Sequence, residues 1–387
     1  MVDKKTLNIG FDAKRAVLND TGLGGYSREV LAQLSALHPS WRMHLYTPRM
    51  RRQPRLDGLL GRQEVTAELP VGIWKHMSSI WRVRGGITRQ LRADGIQLYH
   101  GLSNELPLDI ARSGIPSVVT IHDVIYRRCP DNYSAVDRRI YDFKYGRSAC
   151  NATRVVAISR CTARDITEIY QVDPAKIDIV YQSCHAQFAL PVTACDLMRV
   201  KAQYKLPERY ISIVGTVERR KNQMLAVRAL PEIDPEVKLV IVGRGRQGYD
   251  AEVMREAQRL KVADRVMMLS GLPFGDLPAI YAGAEVAAYV SVYEGFGLPV
   301  VEALSAGTPV IAASGSCLEE AGGEGAVYVH PDDVDAFARE ANRLLADATV
   351  RDAMVAAGRR HIAATLSTPL GEALTAVYDR TLKAFEG

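Results

Sequence analysis

The chain has 387 residues, 47% of them hydrophobic and 24% charged, which is the composition of a globular protein too long for one hydrophobic core. No stretch approaches the ~18 consecutive apolar residues of a membrane-spanning helix, and the charged N-terminus lacks the apolar segment of a signal peptide, so we expect a soluble, cytoplasmic protein. Residues 1–200 carry 28 Lys and Arg against 19 Asp and Glu, but no nucleic-acid-binding motif accompanies this charge, which favours an anionic acceptor or membrane surface over nucleic acid.

Short β-branched or apolar runs alternate with longer amphipathic stretches along the whole chain. The runs are LNIGF, WRMHLYT, IQLYHG, SVVTIHD, TRVVAIS and KIDIVYQ in the first half, and ISIVGT, VKLVIVGRG, RVMMLSG, VAAYVS, TPVIAAS and AVYVHP in the second. This alternation predicts an α/β fold in which each half forms a parallel sheet with helices on both faces. Residues 189–207 contain two prolines and no strand-like run, so we place the linker there, between domains of residues 1–190 and 205–366.

Two features of the first half could meet a ligand. The run TGLGGY at residues 21–26 lies between the first strand and a helix, and it resembles a phosphate-approach loop without matching the GxGxxG pattern. His122 closes the strand SVVTI at its carboxyl end, where ligands of open α/β sheets bind. A lone histidine is more often a hydrogen-bonded core residue, so neither feature decides a function by itself.

The segment of residues 49–92 is strongly basic, with ten Lys and Arg against three Asp and Glu. Trp74 and Trp81 stand seven residues apart in it, beside Ile73, Met77 and Ile80. Seven residues are two helical turns, so we expect both indoles on one helical face. That face either meets anionic headgroups or a lipid-linked acceptor, or packs on the sheet, and the sequence leaves both readings open.

A basic turn follows the first strand of the second half, in GTVERRKN at residues 215–222. Arg220 and Lys221 can neutralise the charge of a departing nucleoside diphosphate without a metal ion. The alternative is an ordinary solvated turn. No DxD-type acidic pair follows a strand, and we expect the acids of residues 332–335 to open a helix, so we predict no metal site.

The most informative segment is SVYEGFGLPVVE at residues 291–302, in which a strand ends, a glycine-rich turn follows, and a helix opens at Pro299. Gly295 and Gly297 allow backbone N–H groups to approach a ligand, and the helix N-terminus favours an anion. Glu294 and Glu302 bracket the turn, and each carboxylate can accept two hydrogen bonds from a vicinal diol. A turn with two solvated glutamates is the plain alternative.

Together these segments resemble the retaining GT-B glycosyltransferases of family 4, which include the mannosyl- and glucosyltransferases of bacterial surface polysaccharides. The resemblance covers nearly the whole chain and is carried by TGLGGY, HGLSNELP, TIHD, AISRCTARDI, VGTVERRKN and, above all, YEGFGLPVVEALSAGTPVIAA with its E-x7-E element. It implies two Rossmann-like domains facing across a cleft, with the last helix, within residues 367–387, crossing back to the N-terminal domain.

The resemblance also assigns roles to the residues. It implies catalytic residues His122, Arg220, Lys221 and Glu294, and donor-binding residues Gly24, Gly25, Thr216, Gly295, Phe296, Gly297, Leu298 and Glu302. Within these sets, Glu294 faces the donor sugar, Glu302 the nucleotide ribose, and the basic pair the diphosphate. Thr216 stands where many members carry an additional arginine, so the grip on the diphosphate rests more on Arg220 and Lys221 here.

The activity implied is metal-independent transfer of a hexose, with no cofactor, from a nucleotide-diphosphate sugar to a glycan or lipid-linked acceptor. GDP-mannose is the first expectation for the donor and UDP-glucose the second, and contact with the inner face of an anionic membrane is a further expectation. Three rivals remain open at this point: a nucleotide-sugar epimerase, a phosphorylase, and a non-enzymatic sugar-nucleotide binding protein.

Overall fold

The computed structural model describes residues 6–386, and the chain divides into two compact units. The first unit comprises Met1–Gln182 together with Thr368–Gly387, and the second comprises Ser183–Ser367. The charged N-terminal residues 1–5 and Gly387, which entered the expectations above, lie outside the described residues.

The first unit is built on a seven-stranded, wholly parallel sheet in the order β3-β2-β1-β4-β5-β6-β7. Its strands are β1 (Asn8–Asp12), β2 (Arg42–Tyr46), β3 (Val65–Glu68), β4 (Leu98–Gly101), β5 (Ser117–Ile121), β6 (Arg154–Ala157) and β7 (Ile177–Ile179). The helices that accompany them are α1 (Lys14–Leu18), α2 (Gly22–Leu37), α3 (Pro54–Leu60), α4 (Ser78–Val83), α5 (Gly86–Ala93), α6 (Ile125–Arg128), α7 (Ala135–Asn151) and α8 (Arg160–Tyr170).

Buried side chains cover both faces of this sheet. Val118 belongs to the hydrophobic cluster on one face, and its neighbour Val119 belongs to the cluster on the other. Successive side chains of a strand point to opposite faces, so a strand covered on both sides consists of consecutive apolar residues. This is why the run SVVTI was readable as a strand from the sequence.

The second unit repeats the architecture with a six-stranded parallel sheet in the order β10-β9-β8-β11-β12-β13. Its strands are β8 (Tyr210–Val214), β9 (Lys238–Val242), β10 (Val266–Leu269), β11 (Val286–Tyr289), β12 (Val310–Ala313) and β13 (Ala326–Val329). Its helices are α9 (Ala194–Tyr204), α10 (Gln223–Ala229), α11 (Tyr249–Arg259), α12 (Leu277–Ala282), α13 (Leu298–Ser305), α14 (Leu318–Gly322), α15 (Val334–Ala346) and α16 (Ala348–Thr365). Both units are therefore Rossmann-like, and the predicted α/β class is confirmed.

The last helix, α17 (Leu370–Glu386), packs in the first unit, where it contacts α2. Its Tyr378 is fully buried, and the Tyr378 hydroxyl lies 2.6 Å from Nδ1 of His100 on β4. Nε2 of the same histidine lies 2.9 Å from the Thr120 hydroxyl on β5. This hydrogen-bonded chain fixes α17 to the centre of the first sheet.

The division between the units lies at Ser183, earlier than the linker placed at residues 189–207. Residues after it pack into the second unit, because the buried Phe188 contacts the rings of Phe274 and Tyr281 at centroid distances of 5.6 and 6.0 Å. The predicted linker also contains α9, whose start is capped by the Thr193 hydroxyl accepting from Asp196 N–H at 3.0 Å.

Candidate active site

The strand order of the second sheet places two predicted segments side by side. The order reverses at β8 and β11, and in open α/β sheets ligands bind beyond the carboxyl ends of the strands at such a reversal. The basic turn Arg219–Lys221 follows β8, and Glu294 follows β11. The N–H of Val292 donates to the carbonyl of Arg220 at 2.8 Å, which joins the two segments directly.

One oxygen of the Glu294 carboxylate, Oε1, is the centre of the cluster. Lys221 Nζ lies 2.5 Å from it, Arg220 Nη1 2.7 Å, and the Tyr289 hydroxyl donates to it at 3.1 Å. Lys221 also donates to that hydroxyl and lies 4.7 Å from the centroid of the Tyr289 ring. Glu294 is only 8% exposed, so these contacts replace water around a buried carboxylate.

The charges of this cluster are balanced within it. Burial opposes ionisation of Glu294, but Lys221 and then Arg220 outweigh it and lower the pKa of this carboxyl group to about 2. Arg220 also donates to Glu218 Oε1 at 2.8 Å and to the carbonyl of Tyr293 at 2.7 Å. Any further anion that meets Arg220 and Lys221 therefore competes with Glu294 for them.

The glycine-rich turn after Glu294 leads directly into α13. Gly297 precedes the helix with φ of +107°, and a Cβ there would lie 2.6 Å from Leu318 Cδ2, so only glycine fits. The helix begins at Leu298, one residue before the predicted start at Pro299, which lies in its first turn. Gly295 and Phe296 are buried, and Phe296, a donor-binding candidate, is only 3% exposed, so its ring packs inside the unit.

Glu302 lies one turn further along α13, in different surroundings from Glu294. Tyr281 donates to its Oε2 at 3.3 Å, and burial raises the pKa of this carboxyl group to about 7. The neighbouring thiol of Cys184 has its pKa raised to about 12 by burial and by the charge of Glu302. The two glutamates of the E-x7-E element thus differ strongly in acidity.

Thr216 stands where many similar proteins carry an additional arginine. It follows β8, and its side chain is exposed. Its carbonyl accepts from Gln223 Nε2 at 3.0 Å, which ties this residue to the start of α10. The exposed threonine contributes no charge beside the basic turn.

His122 lies in the first unit at the end of β5 and is 3% exposed. Its Nε2 lies 2.9 Å from the carbonyl of Leu102, and its Nδ1 lies 3.1 Å from Nε2 of Gln182. This places the proton on Nε2 and leaves Nδ1 as the acceptor. Burial lowers the pKa of His122 to about 4, so the ring is neutral at pH 7. Both ring nitrogens have protein partners, as expected of a histidine that is a hydrogen-bonded core residue.

Gly24 and Gly25 do not lie in a loop, which corrects the interpretation of TGLGGY. Both belong to the first turn of α2, and the N–H of Gly25 already donates to the carbonyl of Thr21 at 3.0 Å. A Cβ at Gly24 would lie 1.9 Å from the carbonyl oxygen of Asn19, whereas a Cβ at Gly25 would meet nothing within 4 Å. Gly24 is thus required for close packing, and only the N-terminal end of the helix remains as an approach for phosphate.

The expectation of one helical face carrying both indoles of the basic segment was wrong. A 3₁₀ turn, Gly72–His76, precedes the separate helix α4, so the two tryptophans do not share a helix. Trp81 is fully buried and donates from its indole nitrogen to Gln90 at 3.2 Å. The exposed apolar side chains of this segment include Ile73, at 70%, Ile80, at 56%, and Val71, at 55%.

No group of three or more potential metal ligands comes together within residues 6–386. The side chain of Asp333 caps α15 by accepting from Ala336 N–H at 2.8 Å, as predicted for the acids of residues 332–335. In the same part of the chain, no helix is long and apolar enough to cross a bilayer.

Two members of the cluster were missed from the sequence. Tyr289 ends the apolar strand β11 and looked like a core residue, and Glu218 looked like part of a solvated turn. The spacing of Glu218 and Arg220, two residues apart in a turn, was the one available signal for an internal ion pair.

Comparison with known families assigns each unit. Residues 21–182 match the family described as glycosyl transferase 4-like domain, and residues 196–361 match glycosyl transferases group 1. The chain belongs to the GT-B glycosyltransferases. It is therefore a transferase enzyme, and each matched region lies within one of the two Rossmann-like units.

Individual glycosyltransferases extend this assignment. O-antigen chain mannosyltransferase B of Escherichia coli is 28% identical over 266 residues, spanning 67% of this chain and 68% of that protein. A D-inositol 3-phosphate glycosyltransferase of Salinispora tropica is 32% identical over 249 residues, spanning 60% of this chain and 49% of that protein. Anabaena HepE, solved in complex with UDP, matches 99% of this chain and 98% of its own with a TM-score of 0.69 at 16% identity, which shows the shared fold.

Proposed function

We propose that this glycosyltransferase moves a hexose from a nucleotide-diphosphate sugar to a glycan or lipid-linked acceptor with retention of anomeric configuration and without a metal ion. The observation that carries the proposal is the convergence of Arg220, Lys221 and Glu294 beyond the carboxyl ends of β8 and β11. A pair of cations beside a buried carboxylate offers one partner for a diphosphate and another for sugar hydroxyls.

The reaction proposed is a front-face displacement. The bond between the anomeric carbon and the donor phosphate breaks, the acceptor oxygen bonds to the same face of that carbon, and the acceptor proton passes to the departing phosphate. Negative charge grows on the diphosphate as the bond breaks, and Arg220 and Lys221 stabilise that charge. When Arg220 and Lys221 move their contacts from Glu294 to the phosphates, the Glu294 carboxylate becomes available to accept hydrogen bonds from the sugar.

The basic pair takes the place that a divalent cation would have at the diphosphate. Arginine keeps its charge at any physiological pH, and its planar group can contact two phosphate oxygens at once. Gly295, Gly297 and the start of α13 add backbone N–H groups and a positive helix end for the same anion. Glu302 is proposed to hold the ribose diol, as a second carboxylate in the same turn and helix.

His122 is proposed to meet the transferring sugar from the first unit. Its ring nitrogens are occupied by Leu102 and Gln182, so a hydrogen bond to sugar at Nδ1 requires release of the Gln182 amide. The ring is neutral, so its contribution is hydrogen bonding and shape rather than charge.

Mannose is the first donor sugar proposed, because the Escherichia coli relative is named an O-antigen chain mannosyltransferase. GDP is proposed as the carrier of that mannose. UDP-glucose is the second, since HepE is described in complex with UDP. Thermal-shift titration with GDP and UDP, followed by donor turnover with and without acceptor, tests both choices. Release of nucleoside diphosphate only when acceptor is present supports transfer, whereas donor isomerisation or binding without turnover contradicts it.

Peripheral contact with an anionic membrane is proposed for the first unit. Ile73 and Ile80 are exposed in the basic segment, and Val136, Ile140 and Phe143 form an exposed apolar stripe along α7. The stripe follows the spacing of one helical face.

An ion network joins these two apolar surfaces. Glu105 binds Arg82 of α4 and, at 3.7 Å, Lys144 of α7. Apolar side chains flanked by cations are typical of a surface that inserts shallowly into an anionic membrane leaflet. Sedimentation with vesicles tests the contact: binding to anionic but not neutral vesicles, reduced in Ile80→Ser, supports it, and equal binding to both or to neither contradicts it.

A further inference from the structure

A short loop of the second unit flanks the turn that carries Glu294. This loop, residues 314–317, follows β12, the strand that pairs with β11. The loop is joined to the turn directly, because the Cys317 thiol donates to the carbonyl of Glu294 at 3.0 Å. It therefore lies at the carboxyl edge of the sheet, where Arg220 and Lys221 also lie.

One side chain of this loop, Ser316, is buried without a hydrogen-bond partner. It is only 8% exposed, and its hydroxyl makes no hydrogen bond to any of residues 6–386, which the structure describes. Its neighbour Ser314 differs, because the Ser314 hydroxyl donates to the carbonyl of Val329 at 3.3 Å. Buried hydroxyls nearly always have a partner, and an unpaired one lowers stability. The unpaired hydroxyl of Ser316 is therefore available to a ligand that binds at this edge.

The loop leaves room for a ligand next to Ser316. The preceding residue, Gly315, is exposed, and its N–H donates to Oε1 of Glu319 at 3.1 Å, which holds the loop in place. A Cβ at Gly315 would meet nothing within 4 Å. Open space thus borders the loop where the Ser316 hydroxyl is unpaired.

The charges of the neighbouring groups indicate which part of a nucleotide sugar Ser316 would meet. Arg220 and Lys221 attract the charged diphosphate. The Glu294 carboxylate can only accept hydrogen bonds at pH 7, because its pKa is lowered to about 2. The Ser316 hydroxyl is neutral and can both donate and accept, as a sugar hydroxyl can. The sugar is therefore the part of the donor whose chemistry matches both Glu294 and Ser316.

We propose that the Ser316 hydroxyl hydrogen-bonds a hydroxyl group of the donor sugar and contributes to the selection of that sugar. The inference rests on the proposed function for the identity of the ligand as a nucleotide sugar. A site that hydrogen-bonds a substrate hydroxyl discriminates against an analogue that lacks it, because the protein group is then left unpaired. Ser316 thus acts on the sugar, whereas the basic pair acts on the diphosphate.

Binding of nucleotide sugars to the full chain tests this contact without requiring turnover. Isothermal titration measures the affinities of GDP, GDP-mannose, UDP and UDP-glucose for the wild type, for Ser316→Ala and for the control Ser314→Ala. Ser316→Ala should bind the tighter of the two nucleotide sugars roughly five- to tenfold more weakly, which is typical of one lost hydrogen bond. Its affinity for the corresponding nucleoside diphosphate should be unchanged, and Ser314→Ala should keep both affinities.

Thermal unfolding without ligand separates this role from a structural one. Ser316→Ala removes a hydroxyl that has no protein partner, so its Tm should stay the same or rise. Ser314→Ala removes the hydrogen bond to the carbonyl of Val329, so its Tm should fall. A lower Tm for Ser316→Ala, with the affinity for the nucleotide sugar unchanged, would show that the hydroxyl only stabilises the fold and would overturn the proposal.

Analogues of the bound nucleotide sugar that each lack one sugar hydroxyl identify the contact. For the hydroxyl that Ser316 meets, the wild type and Ser316→Ala should bind the analogue equally, whereas the losses should add for the other hydroxyls. Additive losses at every hydroxyl, or an equal loss of affinity for the nucleoside diphosphate, would overturn the proposal. If the contact is found but no sugar reaches an acceptor, the contact stands and the proposed transfer fails.

Discussion

Replacing Glu294 by glutamine removes the charge that Arg220 and Lys221 share while keeping the size of the side chain. The pKa of this carboxyl group is lowered from 4.5 to about 2, and each pKa unit corresponds to about 1.4 kcal/mol, so the ion cluster contributes roughly 3 kcal/mol to stability at pH 7. Removal of one partner from a buried ion pair typically costs about 3 to 5 kcal/mol, which agrees. We therefore expect Glu294→Gln to lose about 3 kcal/mol.

Denaturant unfolding followed by two probes locates this loss. All three tryptophans, Trp41, Trp74 and Trp81, belong to the first unit, so their fluorescence reports on that unit, whereas circular dichroism reports on both. The dichroism transition of Glu294→Gln should move to lower denaturant while the fluorescence transition keeps its midpoint. Glu324→Gln is the matched control, because Glu324 is exposed in the same unit as Glu294, and its change should stay within about 0.5 kcal/mol.

The stability contributed by the Glu294 carboxylate should depend on pH in a defined direction. A carboxyl group with a lowered pKa in the folded state stabilises above its unfolded pKa, and this contribution is lost as the pH falls towards the folded value. The difference between wild type and Glu294→Gln should thus be constant above about pH 5 and shrink between pH 4.5 and 2. Glu294→Gln behaving like the Glu324→Gln control at pH 7 would refute the assignment of the cluster as a buried, mutually compensated ion pair.

Three further outcomes are expected from the catalytic assignments. Arg220→Ala and Lys221→Ala should each lower kcat by roughly 10²- to 10³-fold with a much smaller change in donor affinity, and near-normal turnover with weakened binding would reduce the pair to an anchor. Glu302→Gln should raise the donor KM with kcat largely kept. In the wild type the donor KM should rise as the pH falls below about 7, because protonation of Glu302 removes an acceptor for the ribose hydroxyls. This rise should be absent from the variant. Initial rates should survive EDTA, and complete loss restored by magnesium or manganese would show that a metal serves the diphosphate.

The fold was largely predictable because its strands are buried on both faces. Twelve apolar runs of the sequence are strands in the structure, and the one missed, β3, is a short edge strand in which polar residues alternate with apolar ones. The glycines of TGLGGY suggested a loop, since glycine usually weakens a helix. Gly24 is helical nevertheless, because its missing side chain admits the carbonyl of Asn19.

The candidate site was predictable as a set of residues but not as a set of contacts. Motifs selected Arg220, Lys221 and Glu294, yet the ion pairs join residues 73 or more positions apart and exist only because β8 lies beside β11. Periodicity likewise placed Trp74 and Trp81 on one helical face, whereas the structure puts them in separate elements and buries Trp81. Such contacts depend on strand order, which no local pattern encodes.

The anomeric configuration of the product distinguishes transfer with retention from transfer with inversion. The wild-type enzyme is incubated with GDP-α-mannose or UDP-α-glucose and a glycan or lipid-linked acceptor, and NMR of the isolated product assigns the new anomeric centre. We expect one nucleoside diphosphate to be released per sugar transferred and an α linkage to form from the α-configured donor. A β linkage, or donor consumed without any sugar reaching the acceptor, would contradict it.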